Sequence, residues 1–136
     1  MVKASELITL LRVCRKASET KGISDDDRDK LLTAFGQRFT KAWAAVQGKR
    51  VKKYVFKPSN RVVWIVVGKE RDYLIMPAAD FCSCNDFYFR VMDRNIHLCY
   101  HLIAQKLAET LDSFDLYKEK DELFEALMRE WRKEIA

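Results

Sequence analysis

Apolar side chains recur at three- and four-residue steps near both ends of the chain, whereas its middle breaks into short β-branched and aromatic runs. Leu7, Leu10, Leu11, Cys14 and Ala17 share that spacing, which predicts a helix over residues 5 to about 21. Gly22 suits its exit. Ser24, with Asp27 three residues on, offers an N-cap and an acidic first turn for a second helix. Leu31, Leu32, Phe35, Phe39, Ala42, Trp43 and Val46 form one broad stripe, which predicts a single continuous helix stopping near Gly48.

Beyond Gly48, the runs at 51–57, 62–67 and 73–76 are separated by Pro58-Ser59-Asn60 and Gly68-Lys69-Glu70. They predict a three-stranded antiparallel meander. The middle run is apolar on both faces and belongs at the centre; the first, with lysines among Val51, Tyr54, Val55 and Phe56, reads as a charged edge open to a partner's strand. A helix over about 99–111 follows. Leu123, Phe124, Leu127, Met128, Trp131 and Ile135 predict an amphipathic helix at the end of the chain.

A chain of 136 residues, 49% hydrophobic and 33% charged, suits one domain with one real core. We divide it into a helical part over 1–48, a sheet over 49–80, a finger over 81–105 and a second helical part over 106–136. The expected class is α+β. No apolar run approaches the roughly 20 residues of a membrane-spanning helix, and no signal-like segment opens the sequence, so an intracellular, reducing setting in cytoplasm, nucleoid or nucleus is expected. The formal net charge is +5, yet residues 49–71 hold eight basic residues against one acidic. Lys49, Arg50, Lys52, Lys53, Lys57 and Arg61 alternate there with Tyr54, Phe56 and Trp64, a pattern that fits single-stranded DNA and equally fits a solvated strand with core aromatics.

Three of the four cysteines and both histidines fall between positions 82 and 101. In an extended backbone, residues two apart point to the same side, so Cys82-x-Cys84 can aim two sulfurs at one ion. Cys99 would sit in the turn before a helix and His101 in its first turn, where free N–H groups favour a thiolate. Cys82, Cys84, Cys99 and His101 make a Cys3His set that fills a tetrahedral zinc shell, the structural arrangement. His97 is the competing fourth ligand, and buried free thiols or a disulfide are the competing account of the cysteines. Cys14 lies on an apolar stripe and reads as a small core residue. The acidic run Asp25-Asp26-Asp27 with Asp29 is a conceivable metal site, better explained by compensation of a helix dipole. Gly-rich phosphate loops, nucleophile elbows and deaminase motifs are missing, which argues against an enzyme.

Cys-x-Cys followed by Cys-x-His resembles the SWIM zinc finger. Phe87, Phe89 and Val91 between the pairs, then Leu98-Cys99 and His101-Leu102 with Ala104, resemble the small SWIM proteins of the Shu complex type over residues 81–105. Asn85 and Tyr100 depart from that pattern, standing in for a proline and a basic residue. The resemblance implies one structural zinc ion. It further implies a non-catalytic adaptor of homologous recombination that pairs with a RecA-like recombinase paralogue and promotes recombinase filaments on single-stranded DNA.

Overall fold

The computed structural model describes residues 3–69, 71–76, 81–82 and 98–132. Helix α1 spans Lys3–Thr20, α2 Asp25–Phe35 and α3 Gln37–Gln47. Strands β1 (Val51–Lys57), β2 (Arg61–Val67), β3 (Asp72–Met76) and β4 (Phe81–Cys82) follow, then α4 (Tyr100–Thr110) and β5 (Asp115–Lys120). A single 3-10 turn, Asp121–Leu123, leads into α5, Phe124–Arg132. No helix among the described residues is long and apolar enough to cross a membrane.

Local chemistry explains the start of α2. The Ser24 side chain accepts a hydrogen bond from the backbone N–H of Asp27 at 3.1 Å, and Asp25, Asp26 and Asp27 occupy the first turn beside the positive end of the helix dipole. The single helix expected over the second stripe is two helices. Gly36 ends α2 with φ 58 and ψ −130, a conformation closed to side-chain-bearing residues without strain, and α3 begins at once. The stripe survives the break: Leu31, Phe35, Phe39, Ala42 and Val46 are all buried in one core. The first stripe is shifted from expectation, since Leu10, Val13, Cys14 and Ala17 are buried while Leu7 and Leu11 are exposed. Leu32 is exposed as well.

The antiparallel meander is present as β1, β2 and β3, with Lys53 opposite Trp64 and Ile65 opposite Leu74. It is extended on both sides, and the described sheet has the order β4-β3-β2-β1-β5. β2 is the central strand. The expectation that β1 forms an open edge is overturned, because β5 pairs with it in parallel, Lys52 with Asp115 through Lys57 with Lys120. The stretch 106–136 is accordingly not all helical. In β5, Asp-Leu-Tyr-Lys-Glu-Lys carries no alternating apolar pattern, so it becomes a strand by pairing with the hydrogen-bonding groups that β1 leaves open. Leu123, expected on the last helix, is in the 3-10 turn and exposed, and Ile135 lies outside the described residues.

Alternation along the strands divides the core. Val51, Trp64, Val66, Ile75 and Cys82 share one buried core with residues of α1, α2, α3 and α4 on one face, where α4 lies against the sheet. Phe56, Val63, Ile65 and Leu74 face the other way, against Met128 and Trp131 of α5. The sheet is thus covered on both sides.

Candidate metal centre

Cys82 is the last residue of β4 and sits opposite Ile75 of β3, on the face that meets the four helices. Cys99 is the N-cap residue of α4, with φ −70 and ψ 163, and His101 falls in the first turn, as its position after Cys99 predicts. The sequence turns helical here because Ile103, Leu107 and Ala108 follow at helical spacing, each completely buried against the sheet. Strand end and helix start therefore converge. The donor atoms of Cys82, Cys99 and His101 all lie within 4.8 Å of one another, and all three residues are buried.

That donor set fits a metal ion on two grounds. A tetrahedral centre with bonds of about 2.3 Å holds its ligand atoms about 3.8 Å apart, so the three need close in by only about 1 Å. More tellingly, both ring nitrogens of His101 are buried and have no hydrogen-bond partner among the described residues. Leaving such a group unsatisfied costs on the order of 1–3 kcal/mol, and a bond from one nitrogen to a metal removes part of that cost. Tyr73 and Tyr100 fix the ring's attitude, their centroids 3.9 and 3.8 Å from that of His101. Tyr100 was visible in the sequence as a neighbour of the histidine. Tyr73 was not, since only the sheet brings it there. Cys82 and Cys99 are each only 1% exposed. Cys84, the competing His97, and Asn85, Phe87, Phe89 and Val91 lie outside the described residues.

Cys14 behaves as the stripe implies: it is buried and free, and burial pushes its thiol above the ordinary range, with a smaller opposing effect from a hydrogen bond to Thr110. Two of the aspartates of α2 have cationic partners. Asp27 is buried between Lys16 and Lys30, each 3.7 Å away, and Asp25 pairs with Arg28. Among the described residues only Cys82, Cys99 and His101 group in the manner of metal ligands.

The basic block does not form one patch. Lys53 lies over the rings of Trp64 and Phe114 on the face of the four helices, whereas Lys52 lies over Tyr117 on the opposite side. Period-two alternation along β1 dictates this separation. Lys57 bonds the Asn60 side chain, and Arg61 is 3.5 Å from Asp121 and stacks over Phe124. Lys49, exposed, and Arg50, half-buried, precede the strand. Phe56 and Trp64 are core residues, and Tyr54 stacks on Tyr117 and meets Trp131 edge-on. The aromatics thus serve the fold.

No family model matches the chain. Over 123 residues it is 27% identical to a protein from Dictyostelium discoideum named zinc finger SWIM domain-containing protein 7 homolog, covering 89% of this chain and 79% of that protein. Over 85 residues it is 32% identical to an uncharacterized protein from Archaeoglobus fulgidus, covering 62% of this chain and 66% of that one. The likeness to the first, together with the buried Cys/His cluster, supports a SWIM-type zinc-finger protein that binds a metal ion.

Proposed function

We propose that this chain is a non-catalytic adaptor of homologous recombination and DNA repair, which pairs with a RecA-like recombinase paralogue and supports recombinase filaments on single-stranded DNA. The observation that carries this reading is the buried meeting of Cys82, Cys99 and His101 at the junction of β4 and α4, in a chain similar along most of its length to a SWIM zinc-finger protein. One zinc ion, with Cys84 as fourth ligand, is the group these residues suit. A Cys3His shell has no open position for substrate, so the ion acts as a staple between sheet and helix rather than as a reagent. Exposed Leu7, Ile8 and Leu11 on α1 and Leu32 on α2 supply apolar surface of the kind a protein partner covers. The reading implies an intracellular protein.

The test is capture of purified RecA-like paralogues by wild-type chain, Cys84→Ser, and a charge-reversed variant of Lys49, Arg50, Lys52 and Lys53. The adaptor reading expects a paralogue to bind the wild type and the charge variant, and to be lost with Cys84→Ser. Recovery of no recombinase-like protein overturns it. A free-standing single-stranded DNA-binding module is the second reading, motivated by the basic block at 49–71. It expects binding without a partner, falling with salt by about 0.7 log units per log unit for each phosphate neutralised.

A further inference from the structure

We propose that Arg38 is a positioning residue for the metal centre, reaching from α3 to fix the backbone immediately ahead of Cys99. One terminal nitrogen of its guanidinium donates a hydrogen bond to the Leu98 carbonyl at 2.8 Å. That carbonyl belongs to the peptide plane that also contains the nitrogen and Cα of Cys99. Holding the oxygen therefore sets the orientation of the plane from which the Cys99 side chain departs. The carbonyl on the other side of Cys99 is held too, accepting from the N–H of Ile103 at 3.1 Å. With both flanking peptides fixed, rotation about the Cα–Cβ bond is the freedom left to the sulfur.

Arg38 is itself immobilised. Its other terminal nitrogen is 2.7 Å from a carboxylate oxygen of Glu6 on α1, the first nitrogen is 3.5 Å from the second oxygen, and the guanidinium lies over the Phe35 ring at 5.2 Å. Glu6 is buried, with 7% of its side chain exposed. A carboxylate so placed needs a cation, and the planar fork of arginine serves it while keeping donors for Leu98; a lysine ammonium, a single point on a flexible stem, does not reproduce that geometry. The chain Glu6, Arg38, Leu98, Cys99 thus links α1 to the metal ligand through α3. Outer groups that orient metal ligands are worth about 10- to 100-fold in affinity.

This inference rests on the metal reading above, and the experiment separates the two. Zinc affinity of the full chain is measured by chelator competition, and Co2+ absorption reports ligand geometry, for wild type, His101→Ala, Arg38→Met, Arg38→Lys and Val13→Ala. Val13 is buried on α1, and its apolar side chain has no place in the hydrogen-bonded chain of Glu6, Arg38 and Leu98, so its truncation lowers stability through lost packing alone. The expected result is zinc binding by wild type, its loss in His101→Ala, affinity at least about tenfold weaker in Arg38→Met with an altered Co2+ spectrum, an intermediate value for Arg38→Lys, and no change for Val13→Ala. Should Arg38→Met fold poorly, Arg38→Lys carries the comparison. Wild-type affinity and spectrum in the folded Arg38 variants, or equal weakening in Val13→Ala, overturns the positioning role while the metal reading stands. Failure of the wild type to bind zinc, or undiminished binding by His101→Ala, overturns the metal reading and this inference with it.

Discussion

On one face of the sheet, Val51, Trp64, Val66, Ile75 and Cys82 meet four helices and a buried group of two cysteines and a histidine; on the other, Phe56, Val63, Ile65 and Leu74 meet α5. The second face is closed by apolar and aromatic contact, with Trp131 edge-on to Tyr54 and Phe124 edge-on to Phe56. The first includes His101, whose ring nitrogens gain nothing from packing. Burial alone is therefore sufficient on the α5 side, whereas the helical side needs a further bond to settle a polar group it has taken out of water. The candidate metal ligands belong to one face and plain hydrophobic packing to the other.

Removing zinc should have the largest effect and should fall on the helical face. Structural zinc contributes on the order of 10 kcal/mol of apparent binding energy in small peptide systems. His101→Ala or Cys99→Ser should lose the bound equivalent and lower the thermal midpoint, while His97→Ala keeps both; metal content after dialysis and melting by circular dichroism decide. Helices α1 to α3 have their own buried stripes, so helical signal should remain in part.

Trp131→Ala should be next. A buried tryptophan cut to alanine costs about 3–5 kcal/mol, seen as a lower urea midpoint. Zinc content should be unchanged, and loss of the metal in this variant would mean that the two faces are not separable.

A smaller loss, about 1–3 kcal/mol, is expected from Gly36→Ala, because φ 58 with ψ −130 strains any side-chain-bearing residue. A stabilised variant would instead show that α2 and α3 prefer to run on as one helix. Chemical denaturation measures either outcome.

The smallest effect concerns Cys14. Burial raises its thiol above the ordinary value of 9.0, so the folded chain holds this proton more tightly than the unfolded one. Its contribution to stability is full below about pH 9 and is lost as pH rises through the higher folded value. Between pH 8 and 10, wild type should lose more unfolding free energy than Cys14→Ala; parallel losses would place the titration elsewhere.

Local patterns determined much of this molecule. Ser24 and the three aspartates specify the start of α2, the β-branched runs specify β1 to β3, and Cys99 two residues ahead of His101 specifies a ligand pair at the start of α4, because caps, alternation and helical spacing act over a few residues. The break at Gly36 escaped that reading, since Phe35 and Phe39 keep helical spacing across it and a glycine inside a helix costs only about 1 kcal/mol. Tertiary structure alone decided the rest. β5 has no apolar alternation and is a strand because β1 offers it an edge; Tyr73 reaches His101 because α4 packs on β3; and Arg38 reaches Leu98 because α3 packs on α4. Each of these contacts joins segments distant in sequence, where no local period records them, and depends on which faces have already been buried.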